Sequence, residues 1–130
     1  MTFMTARGLS LAGAIVLAAM AGAPAPASSH SFPETENPAA GQTLAASPSE
    51  VSIRFDAPIE NLFAVLRVLD ASGKNVASGE PVVGPRGYTL AVKVPPLKPG
   101  EYTVKWGVVG IDTHHTQGSY TFTIAARGNS

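Results

Sequence analysis

The sequence has no cysteine and few charged residues, and each of these features excludes a class of function. Without cysteine, the chain forms no disulfide, no thiolate metal site and no cysteine nucleophile. Charged residues make up 14% of its 130 residues and the formal net charge is zero, so no basic surface for nucleic acid or anionic lipid is indicated. Methionine occurs only as Met1, Met4 and Met20. A length of 130 residues is enough for one domain.

The longest hydrophobic run, LSLAGAIVLAAMAGA at residues 9–23, is too short to be a membrane span. It holds about 15 apolar residues after the single basic Arg7, whereas a bilayer span needs about 20. A basic start, a short apolar core and small residues afterwards are typical of a cleaved secretory signal. We therefore expect residues 1–29 to be a signal peptide and residues 30–130 to form one exported, periplasmic domain without a membrane span.

Two positions fit the cleavage rule of small residues at the last and third-last places before the cut. Ala27 and Ser29 satisfy it for a cut before His30, and Ala25 and Ala27 satisfy it for a cut before Ser28. The first cut makes His30 the mature N-terminus. Both positions stay open on the sequence.

The remainder of the chain has the pattern of short β-strands. Apolar and polar residues alternate over several segments separated by turn signals, and no amphipathic helix is indicated. We interpret residues 31–50 as extended chain and turns. The fold class predicted is therefore all-β, a small antiparallel sandwich or barrel of about seven strands. The clearest predicted strands are residues 51–55, 62–69, 88–94, 102–109 and 119–124.

The chain has three histidines, and two of them lie in the segment GIDTHHTQG at residues 110–118. Asp112 and His114 point to the same side if this segment is extended. One carboxylate oxygen and one imidazole nitrogen suit Cu(II), with Zn(II) as the usual competitor. A third ligand is needed, and a mature N-terminal His30 offers two donors, its α-amine and its Nδ1.

These histidines stand within a chain that resembles the CopC family of periplasmic copper-binding (copper resistance) proteins. The resemblance extends over essentially the whole of residues 30–130, and the run YTVKWGVVGIDTH is its most specific part. The segments that carry it are His30, Asn37–Gly41, Ser47–Pro48, Ile53–Phe55, Asp70–Lys74, Leu97–Trp106, Val109–His114 and Gly118–Phe122.

The resemblance implies a Greek-key β-barrel of cupredoxin or immunoglobulin-like character. It implies Cu(II) binding in the periplasm for copper tolerance, storage or delivery to a separate inner-membrane transporter, without enzymatic activity. The ligands it implies are His30, through amine and imidazole nitrogens, together with Asp112 and His114.

The sequence departs from the family at two places. Some members carry a Glu after the first strong strand, where this chain has Ala57. The adjacent Asp56 is expected to face the other way, so that carboxylate is lost. Other members bind Cu(I) through a methionine-rich loop, but residues 21–130 contain no methionine. Because thioethers select Cu(I), we expect a Cu(II)-only protein.

The residues near the candidate ligands are not expected to bind the metal ion themselves. By period-2 alternation His115 faces away from the ligand side and is solvated. Tyr102 and Trp106 are expected in the core or as walls near the site, in packing roles. Thr113 and Thr116 are candidate donors that orient a ligand imidazole.

Two other function classes remain open. A metal-free immunoglobulin-like binding module predicts that His30, Asp112 and His114 lie far apart. A copper monooxygenase also uses an N-terminal histidine, but it needs an extended substrate surface and an open copper position, where this sequence offers about 100 residues and a carboxylate.

Overall fold

The computed structural model describes residues 30–127, so the signal peptide predicted at residues 1–29 lies outside the described residues. Residues 30–127 contain eight strands and no helix, which confirms the all-β prediction. Within the same range, no helix is long and apolar enough to span a membrane. The strands are β1 (Pro33–Asn37), β2 (Thr43–Leu44), β3 (Glu50–Phe55), β4 (Val65–Leu69), β5 (Ser78–Val83), β6 (Thr89–Lys93), β7 (Gly100–Val109) and β8 (His115–Ile124).

The strands form two separate four-stranded sheets, so the molecule is a sandwich and not a closed barrel. One sheet has the order β1-β3-β6-β5 and the other β2-β8-β7-β4. All neighbours are antiparallel except β2 and β8, which run parallel. The antiparallel expectation is wrong for this one pair, because β2 reaches its neighbour through a long crossover connection and not a hairpin.

Two strands that the sequence pattern did not single out, β1 and β5, lie at the edges of the first sheet. β1 begins with Pro33, and β5 contains Gly79 and Pro81. Proline is tolerated in edge strands because one side of the strand needs no hydrogen-bond donor. These proline and glycine residues suit edge strands, but they also weaken the apolar–polar alternation by which strands are predicted from a sequence.

β4 begins three residues later than predicted, at Val65 instead of Leu62. Leu62 and Phe63 lie in a turn, with 68% and 76% of their surfaces exposed. Phe63 has a φ of 66°, which is left-handed backbone and cannot continue a strand. The apolar character of this segment therefore misled the prediction of its conformation.

The core fills the space between the sheets with side chains from alternate strand positions. The prediction that Tyr102 and Trp106 belong to it is confirmed: the Tyr102 ring stacks on Phe122 and Trp106 meets Phe55 edge-on, both with centroids 5.5 Å apart. Gly118 lies opposite Trp106, and a Cβ there would approach the indole to 2.8 Å. The buried apolar residues are Val51, Ile53, Phe55, Ile59, Leu66, Val68, Leu90, Val92, Val94, Tyr102, Val104, Trp106, Val108, Tyr120, Phe122 and Ile124.

Candidate metal centre

The β7–β8 hairpin carries the candidate ligands in the turn that joins its strands. The Gly110 N–H donates to the His114 carbonyl at 2.9 Å, and the Thr113 N–H donates to the Gly110 carbonyl at 2.8 Å. Thr113 has a φ of 76°. This is a three-residue hairpin loop whose last residue is left-handed, a position that ordinarily takes glycine or asparagine. A β-branched residue such as threonine adopts this conformation only with backbone strain.

Asp112 and His114 are brought together by this turn and not by an extended strand. The sequence argument placed the two side chains together only if the segment is extended; the segment is a turn, and the two side chains are nevertheless adjacent. The Asp112 Oδ1 accepts a hydrogen bond from the His114 N–H at 3.1 Å, and its Oδ2 lies 3.1 Å from His114 Nδ1. The Asp112 carboxylate thus accepts a hydrogen bond from the main chain of the turn and also contacts the His114 imidazole.

His30 lies against this pair from the other end of the described chain. Its Nδ1 is 3.8 Å from Asp112 Oδ2, and its ring centroid is 4.3 Å from that of His114 with the planes at 73°. His30 Nδ1 is buried and has no hydrogen-bond partner among residues 30–127. A bound cation would satisfy such a nitrogen.

The three side chains form a group that could hold one metal ion. Each offers a ligand atom, and these atoms all lie within 4.8 Å of one another. The side chains of His30 and His114 are 42% and 58% exposed, and that of Asp112 is 22% exposed. The group is therefore open to solvent on its histidine side. Its compactness contradicts the expectation of a metal-free module that the three residues lie far apart.

The segment around His30 is held by residues whose part was not foreseen. Thr116 donates its hydroxyl to the Ser31 carbonyl at 2.7 Å, so its contact is with main chain and not, as expected from the sequence, directly with an imidazole. Asp56 pairs with Phe32: its carboxylate accepts the Phe32 N–H at 2.8 Å and its N–H donates to the Phe32 carbonyl at 2.9 Å. The alternation of side chains along a strand predicts on which face of the sheet Asp56 lies, but it cannot predict a partner 24 residues away.

His115 stands apart from the candidate ligands. It is the first residue of β8, it is exposed as predicted, and it lies opposite Val109. A Cβ built on Gly107 would be 3.6 Å from its Nε2, which places the ring over the outer face of the second sheet. The two adjacent histidines therefore differ in surroundings, which makes His115 a natural control for His114.

Comparisons with known proteins agree with this architecture. A family model described as the CopC domain matches residues 34–125. Protein YobA of Escherichia coli strain K12 is 31% identical over 98 residues, covering 73% of this chain and 78% of that protein.

Solved structures give the same result. CopC from Methylosinus trichosporium OB3b is 34% identical with a TM-score of 0.68, covering 78% of this chain and 99% of the other. PcoC, a methionine-rich copper resistance protein from Escherichia coli, is 25% identical with a TM-score of 0.64, covering 73% and 98%. The chain belongs to the CopC domain family.

Proposed function

We propose that this protein is a periplasmic Cu(II)-binding carrier or buffer, in which one ion is held by His30, Asp112 and His114. The observation that carries the proposal is the buried, unpartnered Nδ1 of His30 beside the Asp112 carboxylate and the second imidazole. Two imidazoles and a carboxylate are nitrogen and oxygen donors, which suit Cu(II).

The fourth donor of the proposed site is the α-amine of His30, which exists only if the signal peptide is cut directly before that residue. The amine and Nδ1 then chelate one ion together. An α-amine has a pKa of about 7.7 when unperturbed, so protons compete with copper and binding should weaken in acid. Intact mass of the exported protein tests this cut: a chain starting at Ser28 would contradict it.

The preference for Cu(II) over Cu(I) follows from the donors available. PcoC is methionine rich, whereas residues 21–130 of this chain contain no methionine. Cu(I) prefers thioether and thiolate ligands, and neither is present after residue 20. We propose a carrier and not an enzyme because the Asp112 carboxylate lies against both imidazoles, where oxygen chemistry on copper needs an open position.

The decisive experiment is a competition titration of the processed, exported protein with Cu(II). One tight site per chain is expected in the wild type. His114→Ala should weaken binding by at least 100-fold, since it removes one of few ligands, and His115→Ala should bind as the wild type does. Equal affinities of wild type and His114→Ala would refute the assignment.

A further inference from the structure

We propose that Thr116 and Ser31 are positioning residues, whose hydrogen bonds hold His30 in reach of Asp112 and His114. The inference rests on the proposed copper site, which it deepens by naming what fixes the position of the His30 amine and imidazole.

Ser31 is the residue that anchors the segment. It is fully buried, with 0% of its surface exposed. Its hydroxyl donates to the Pro58 carbonyl at 3.1 Å, and its own carbonyl accepts the Thr116 hydroxyl at 2.7 Å. One hydrogen bond thus ties it to the loop after β3 and the other to β8. A buried polar residue with both bonds made is costly to displace, because each group would lose its partner away from water.

Phe32 adds a second anchor on the far side of Ser31. Its N–H and carbonyl both pair with Asp56, at 2.8 and 2.9 Å. A shift of the segment by one residue would bring either Phe32 or His30 into the space of Ser31. Both side chains are much larger than a serine, so these contacts permit one register only.

Gly110 shows how closely this space is filled. A Cβ on Gly110 would lie 2.9 Å from Ser31 Oγ and 2.7 Å from Asp112 Oδ1, distances below ordinary contact. One glycine therefore separates the anchored serine from a candidate ligand. Ser31 and Asp112 therefore both border the space that the missing side chain of Gly110 leaves free.

These contacts determine where His30, the residue before Ser31, lies. None of these contacts uses the imidazole of His30, so they order the peptide after His30 independently of a metal ion and reduce the ordering cost of binding. The amine that reaches the site is then that of residue 30. Two additional residues from a cut before Ser28 would stand where the amine is needed, so the anchored register makes the cleavage position decisive for affinity.

The test replaces Thr116 by the nearly isosteric valine in the exported protein. Thr116→Val should weaken Cu(II) binding about tenfold by competition titration, since one hydrogen bond that orders a ligand is lost. Its electron paramagnetic resonance spectrum should also change, which a merely structural role would not require. Thr116→Ser should restore affinity and spectrum, and Thr121→Val, on the exposed face of the same strand, should leave both unchanged.

A measurement on the metal-free protein separates this inference from the copper proposal. The His30 and His114 rings, 4.3 Å apart, should give a nuclear Overhauser contact in the wild type that is lost in Thr116→Val. If the wild type binds no copper, the proposed function fails while this loss still supports the anchor. Retention of both the contact and the wild-type affinity would overturn it. If Thr116→Val does not fold, Ser31→Ala serves instead, with the same expected losses.

Discussion

Thr113 has left-handed backbone in the turn that carries the candidate ligands, and Thr113→Gly should stabilise the protein. Left-handed backbone costs an L-residue roughly 1–2 kcal/mol. Glycine removes that cost but gives up about 0.5–1 kcal/mol of chain entropy on folding. The net gain expected is therefore about 0.5–1 kcal/mol. For a domain of about 100 residues, this raises the unfolding midpoint by about 5 °C.

The assay is thermal unfolding of the metal-free, processed protein followed by circular dichroism. Thr121→Gly is the matched control, because Thr121 is also exposed but lies within the regular strand β8. Glycine in a strand interior costs about 0.5–1 kcal/mol, so this control should unfold earlier than the wild type. The hydrogen bond from the Thr113 N–H to Gly110 is main chain and survives the change. If both variants lower the midpoint alike, the strain argument is refuted.

Two further substitutions test the site and the turns. Gly110→Ala should lower both copper affinity and stability, by about 1–3 kcal/mol in the latter, because its methyl would lie 2.7 Å from the Asp112 carboxylate. Gly107→Ala, in the adjoining strand β7, meets only ordinary contacts and should be mild by the same titration and melting measurements. At Asp70, hydrogen bonding, first of all from the Ser72 hydroxyl, lowers the carboxyl pKa below its ordinary 3.8. The ionised form is favoured in the folded state, so Asp70→Asn should lower the melting temperature at pH 7, with the gap closing as pH falls below about 3.8. A gap independent of pH would contradict this origin.

The hairpin strands were predictable where their alternation is regular, over residues 102–109 and 119–124, but β8 begins four residues earlier than predicted, at His115. The conformation of the turn between them was not predictable, because nothing in the pattern marks Thr113 as left-handed where glycine is usual. β5 was missed because Pro81, which suits an edge strand, also reads as a strand breaker.

Proximity of the candidate ligands was a hypothesis from their distribution and the family resemblance. The structure places His30, Asp112 and His114 together, while their role as ligands remains the proposal that titration tests. The hydrogen bonds that anchor Ser31 could not be predicted from the sequence, for a physical reason. Hydrogen bonds from side chains to main chain, such as that from Thr116 to Ser31, depend on tertiary placement and leave no periodic trace.

The distance along the chain between the two halves of the site bears on how the protein folds. Thr116 and Ser31 are 85 residues apart, whereas Asp112 and His114 lie within one hairpin. Local hairpins close within microseconds, but contacts between distant segments must await the rest of the chain. In the proposed copper site, a folding intermediate that has formed only the hairpin therefore offers a copper ion two of the proposed ligands, Asp112 and His114, and not His30. Tight binding should occur only on a chain that has completed folding, so copper would not trap incompletely folded molecules.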